Sequence, residues 1–290
     1  MTPSPALLAS LMRSRLMVRR ARATAGIGER RSRARGSGME FEDYGQYQPG
    51  DDTRHLDAHL HARTGQYYIR QYAAYQQLDV TIIVDGSASM NFGTPTKFEF
   101  GCGLASALAF VALAGGDVAC IGTPQDGRVV WSPRARGAAR YWTIRDWLAA
   151  QRPSGAGFGR ALGETLPHLS GRGLVIVLSD WWDDDLDAGL NILGSLQQEV
   201  FAVHILSPQE VEPALPGAGE VRLIDSESQH EVELSIDRNV LDGYRTALAD
   251  WQNRLRREIT RHLGRYLPVR SDASLDHVLL NDWRQLGLIG

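Results

Sequence analysis

Lysine is almost missing from this 290-residue chain: Lys97 stands alone among 31 basic residues, and all the others are arginine. A bias that uniform reflects genome composition rather than function. Cysteine is scarce as well. The two present, Cys102 and Cys120, cannot make the disulfide framework of a small secreted scaffold and read as buried free thiols in a reducing compartment. The longest charge-free run, residues 100–116, has 17 residues. That falls below the roughly 20 needed to span a bilayer, so it reads as a buried helix. The opening Met1-Thr2-Pro3-Ser4-Pro5 lacks the basic stretch of a signal peptide. With neither span nor leader, a cytoplasmic location is expected. Enzyme signatures are also missing. There is no Gly-x-x-x-x-Gly-Lys-[Ser/Thr] phosphate loop, no Gly-x-Ser-x-Gly elbow and no suggestive Cys/His pair.

What is present is ordinary globular composition, 43% hydrophobic and 22% charged. At about 150 residues per domain, the length predicts one or two domains. The net charge of −3 is unevenly spread. Residues 1–36 carry nine arginines (Arg13, Arg15, Arg19, Arg20, Arg22, Arg30, Arg31, Arg33 and Arg35) against the single acid Glu29, leaving −11 for the remainder. Such an arm suits nucleic acid, anionic lipid or the acidic body itself. No aromatic residue is interleaved among the arginines, so stacking on single strands has no support. A solvated, partly helical leader is the expectation, and nucleic acid is not the expected partner.

From residue 79 onward, short β-branched runs alternate with helical stretches. Residues 79–85 and 173–180 are apolar runs that each end in an acid, as central parallel strands do. Residues 118–121 and 128–131 read as short strands around a Pro-Gln-Asp-Gly turn, and 199–206 as another buried strand. Helices are expected near 96–114, 138–150, 158–169, 187–197 and 238–264, with a hairpin over 220–225 and 230–236. The alternation predicts an α/β fold: an open, mostly parallel, Rossmann-like sheet flanked by helices. Ligands of such sheets lie beyond the carboxyl ends of the strands, which directs attention to Asp85 and Asp180.

After the first strand comes Asp85-Gly86-Ser87-Ala88-Ser89. An acid and two hydroxyls at alternate positions on a strand-to-helix turn can converge on one hard cation, with Ser87 and Ser89 as direct ligands and Asp85 and Asp180 holding its waters. The competing reading makes the serines helix caps that satisfy free backbone N–H groups.

The Asp-x-Ser-x-Ser spacing resembles the metal-ion-dependent adhesion site (MIDAS) of von Willebrand factor A domains. The run Tyr47-Gln48-Pro49-Gly50-Asp51-Asp52-Thr53-Arg54-His55-Leu56-Asp57, then Ala62-Arg63-Thr64-Gly65, is similar to the hallmark of the bacterial family called domain of unknown function 58. Lys97 and the Gly219–Asp225 stretch before a hairpin and long helix match that family too. The resemblance covers residues 37–290. It implies a von Willebrand factor A-like domain over 79–290, a family-specific segment over 37–78 packed on it, and the basic segment 1–36 ahead of both. It also implies a non-enzymatic adaptor binding Mg²⁺ or Mn²⁺, working with a MoxR-type AAA+ ATPase and its protein client in chaperone-like remodelling or cofactor insertion.

This chain departs from the pattern in places. Ala156 stands where a metal-binding threonine is usual, which predicts a weakened or absent metal, with Ser154 a substitute only if the loop shifts. Gly45 and Ala58 replace an arginine and a tryptophan of the hallmark. Arg54, Asp57 and Arg63 are expected to tie the segment to the domain by charge-assisted hydrogen bonds. Trp181 and Trp182 are candidate partner anchors, with Asp183, Asp184 and Asp185 adding charge nearby. His55, His59 and His61 read as ordinary surface or interface histidines. Two alternatives stand beside the adaptor: a Mg²⁺-dependent hydrolase using Asp85 and Asp180, for which no general base is evident, and a nucleic-acid-associated protein acting through the arginine arm.

Overall fold

The computed structural model describes residues 2–18, 39–74, 77–125, 128–154, 157–165, 169, 173–183, 186–196, 198–213, 219–224, 231–236, 238–261 and 264–290. In chain order these form α1 (Pro5–Leu11), β1 (Met39–Gln46), α2 (Ala58–Thr64), β2 (Tyr68–Ala74), β3 (Asp79–Val84), α3 (Lys97–Ala114), β4 (Val118–Gln125), β5 (Arg128–Trp131) and β6 (Ala135–Arg136). Then follow α4 (Tyr141–Ala149), α5 (Phe158–Thr165), β7 (Gly173–Ser179), α6 (Leu186–Ser195), β8 (Glu199–Leu206), α7 (Pro208–Val211), β9 (Gly219–Ile224), β10 (Glu231–Ile236), α8 (Arg238–Arg261) and β11 (Arg265–Arg270). The chain divides into two compact units, residues 1–20 with 78–290, and residues 21–77.

The larger unit is built on a seven-stranded sheet in the order β11-β8-β7-β3-β4-β5, with β6 also paired to β4. Strands β11, β8, β7, β3 and β4 run parallel, and β5 and β6 return antiparallel at one side. Alternate side chains of the central strands enter two cores, because successive residues of a strand point to opposite faces. Val80, Ile82 and Val84 of β3, Ile176 of β7 and Val203 of β8 join one cluster with Leu104 and Leu108 of α3 and Ile144 of α4. Ile83, Val175, Val177 and Ala202 join the other with Leu162 of α5, Leu190 of α6 and Leu255 of α8. Helices therefore cover both faces, the α/β architecture expected of a von Willebrand factor A-like fold.

Helix α3 is apolar almost all round; it is long and apolar enough to cross a membrane, yet 83% of its most apolar window is buried inside the fold. Thr96 and Glu99 close a reciprocal capping box at its start. The boundary expected at residue 36 is corrected here. Leu7 and Leu11 of α1, with Leu16 and Val18 after it, are buried in the first core, and Leu16 bridges to Ile289. The apolar stretch ahead of the arginines thus belongs to the sheet unit, where burial outweighs its basic neighbours. Residues 19–36, with most of the arginine arm, lie outside the described residues.

In the smaller unit β1 and β2 pair antiparallel. Between them Asp57 caps α2, accepting from His59 N (2.9 Å) and Leu60 N (3.0 Å), and Gly65 ends the helix at φ 72°, a conformation that favours glycine. Tyr44 Oη donates to Asp57 Oδ2 (3.1 Å). Arg54 pairs with Asp52 two residues away (2.7 Å), and Arg63 is exposed in the last turn of α2. Within this unit Arg54 and Asp57 each bond to near sequence neighbours, whose ordering loses less entropy than closing a long loop. His55 and His59 fall on separate elements, and His61 stacks on Tyr67 at 4.0 Å.

Candidate functional site

The site forms where β3 and β7 end side by side. Asp85 N continues the ladder by donating to Leu178 O (2.9 Å), which sets Asp85 beside Ser179 and Asp180. Asp85 Oδ1 accepts from Ser87 N (2.9 Å), and Oδ2 accepts from the Ser179 hydroxyl (2.5 Å). Burial, then the neighbouring Asp180, push the Asp85 pKa up to about 7. Gly86 allows the turn to close: a Cβ there would stand 2.5 Å from Pro124 O. Ser154 N donates to Gly86 O (2.6 Å), so the 151–154 loop abuts the same turn.

Ser87 opens a 3₁₀ turn over Ala88–Asn91 without a side-chain capping bond. Its hydroxyl lies 2.9 Å from that of Ser89. The helix-cap reading of Ser87 therefore fails, since its oxygen faces the second serine rather than a backbone N–H.

Asp180 and its surroundings are sealed. Lys97, at the first position of α3, is 1% exposed, and its Nζ donates to Asp180 Oδ2 (2.6 Å) and to Glu210 Oε1 (2.5 Å). Burial opposes the ammonium charge, but Asp180 and Glu210 outweigh it and hold the Lys97 pKa above its usual value. Glu210 is itself fixed by a capping box with Ser207, and Tyr244 of α8 donates to its carbonyl (2.7 Å). His204 completes the floor, fully buried, with Nδ1 on Tyr266 Oη (2.6 Å). Burial and then Lys97 lower its pKa to about 3, so the ring is neutral.

The two tryptophans diverge. Trp181, at φ 60°, is fully buried, packs edge-on against Phe158 and donates Nε1–H to Val203 O (3.1 Å). Its candidacy as a partner anchor is corrected: the turn directs it into the core. Trp182 is 40% exposed beside the site and stacks on Trp251 of α8 at 5.2 Å. Asp183 Oδ2 accepts from Gly159 N (2.9 Å) at the start of α5. Asp184, Asp185 and Ala156 lie outside the described residues.

A family model described as "protein of unknown function DUF58" matches residues 43–254. This chain belongs to DUF58. An uncharacterized protein of Mycobacterium tuberculosis, Rv1480, is 30% identical over 248 residues, covering 82% of this chain and 76% of its own. Its Mycobacterium bovis counterpart, Mb1516, matches equally. Among solved structures, the conserved hypothetical protein BatB of Bacteroides thetaiotaomicron is similar over 72% of this chain and 98% of its own (15% identity, TM-score 0.44). The SpRpn10 VWA domain is similar over 71% and 95% (13% identity, TM-score 0.41).

In this DUF58 protein the four residues expected at the metal are partly gathered. Asp85, Ser87 and Ser89 share one turn, whereas Asp180 Oδ2 is occupied by Lys97. Among the described residues no three His, Cys, Asp or Glu side chains form a metal cluster, so any ligand set needs the serine hydroxyls. Those fit: two oxygens at right angles on one Mg²⁺ lie about 3 Å apart, and the Ser87 and Ser89 hydroxyls are separated by 2.9 Å. Sequence reasoning gave no role to Lys97, Glu210 or His204. The Ser-x-x-Glu pattern over 207–210 is the one local sign of a helix start there, but nothing local points Glu210 at Lys97, 113 residues away.

Proposed function

We propose that this protein is a non-enzymatic, cytoplasmic adaptor that docks a partner on the face beyond the ends of β3 and β7, and that the partner is a MoxR-type AAA+ ATPase acting on a protein client. One observation supports the reading above others: the paired Ser87 and Ser89 hydroxyls, 2.9 Å apart, on a turn where Ser87 makes no capping bond and its N–H is held by the buried Asp85. Ser87, Ser89 and Asp85 would hold Mg²⁺ or Mn²⁺, and the ion would supply a Lewis-acidic point for a partner's carboxylate. Trp182, half exposed at the edge of the face, would give the partner an aromatic anchor. The hydrolase reading gains nothing from the arrangement, because the nearby imidazole of His204 is sealed and bound to Tyr266.

The test is capture of the tagged chain's partners from native lysate in Mg²⁺ and in EDTA, with the ATPase identified by mass spectrometry. Recovery in Mg²⁺, lost in EDTA and in Ser87→Ala, is the expected result. Recovery in both buffers keeps the adaptor and removes the metal from it. No ATPase in either buffer overturns the partnership.

A further inference from the structure

The only lysine of this chain is also among its least exposed side chains, at 1%. Every other basic position is arginine, so the bias against lysine was overridden at this one place. The surroundings give a chemical reason. Nζ lies between two carboxylates from different elements, Asp180 Oδ2 at 2.6 Å and Glu210 Oε1 at 2.5 Å. A compact ammonium can divide its three donors between them, whereas a planar guanidinium favours one flat bidentate partner and needs more room.

Lys97 therefore does to Asp180 what a bound divalent ion would otherwise do: it balances a carboxylate that is 0% exposed just beyond the carboxyl end of the central strand β7. We propose that Lys97 is a tethered cation standing in for the divalent ion at Asp180, and that it sets the Mg²⁺ affinity of the Asp85–Ser87–Ser89 turn low. It acts twice, by occupying one oxygen of Asp180 and by adding a like charge near any ion on the turn. The inference rests on reading that turn as a cation site, but it concerns the isolated chain. Failure of partner capture and failure here are thus separate results.

The experiment is calorimetric titration of the purified full chain with Mg²⁺, and thermal melts in Mg²⁺ and EDTA. It compares wild type, Lys97→Met and the double variant Lys97→Met/Glu210→Gln. The double variant keeps the local net charge, and it keeps a capping partner for Ser207, because glutamine serves in a capping box as glutamate does. Wild type is expected to bind weakly, with a Tm that Mg²⁺ scarcely moves. The variants are expected to bind Mg²⁺ about ten-fold or more tightly, and to lose stability in EDTA that Mg²⁺ restores. Adding Asp85→Ala to the double variant should abolish the gain. Unchanged affinity in both variants, wild-type affinity already equal to theirs, or failure of both to fold even in Mg²⁺ would each overturn the proposal.

Discussion

Individual side chains divide sharply by what surrounds them, and two neighbours illustrate it. Trp181→Ala removes a fully buried ring and should cost about 3–5 kcal/mol in urea unfolding. Trp182→Ala removes a half-exposed ring stacked on Trp251 and should cost only about 1 kcal/mol while reducing capture of the proposed ATPase partner. Equal stability losses would show that Trp182 supports the fold rather than a partner. Asp117 gives a pH test away from the site. Its Oδ1 accepts from Leu78 N (2.9 Å), but burial raises its pKa from 3.8 to about 6, against the Leu78 bond and Arg15. The folded form holds a proton that the unfolded chain releases in this window, so the Asp117 contribution to stability shrinks as pH rises through it. Unfolding free energies of Asp117→Asn should therefore gain on wild type between about pH 4 and pH 6; a constant difference would contradict the shift. None of these three environments was visible in the residues themselves, because Trp-Trp-Asp reads the same whichever ring turns inward.

Among the elements, the sequence patterns located nearly all the central strands and helices, with ends displaced by a few residues. The strand expected over 199–206 is β8 as observed, and the helix expected over 158–169 is helical over Phe158–Thr165, beyond which residues 166–168 lie outside the described residues. Several elements escaped: β1, α2 and β2 of the smaller unit, the short β6 and α7, and two that matter to the core, β11 and α1. Strand β11 reads Arg-Tyr-Leu-Pro-Val-Arg, and its Pro268 argues against a strand; it is tolerated because β11 is the edge of the sheet, paired only to β8. Helix α1 is seven residues long, too short for a persuasive period, although Ser4 as cap and Pro5 as first residue mark its start. Its weight is tertiary. Leu11→Ala should cost about 2–5 kcal/mol, and deleting residues 2–18 should lower Tm further, since Arg15 and Met17 also bond the backbone of Gly290 and Leu288. A deletion variant melting like wild type would mean that the segment is dispensable to the core.

For the whole molecule, function turns on which strands are neighbours. Asp85 and Ser179 are 94 residues apart, yet they meet because β3 and β7 are hydrogen-bonded side by side. Ser87→Ala removes a hydroxyl that bonds to the Ser89 hydroxyl and supports the Asp85 carboxylate, so it should cost no more than about 1–2 kcal/mol of stability while abolishing Mg²⁺-dependent capture. A large drop in Tm would assign Ser87 to structure instead.

Taken by itself, the sequence determined the element types, the α/β class and the Asp85-Gly86-Ser87-Ala88-Ser89 turn, because periodicity and turn chemistry act over a few residues. It also carried the family resemblance, in the Tyr47–Asp57 run. Only the tertiary structure decided that Trp181 is core, that α1 belongs to the sheet unit, and that Lys97 holds Asp180 and Glu210. Those facts depend on strand order and burial, which bring distant residues into a low-dielectric interior where a charge must find its partner.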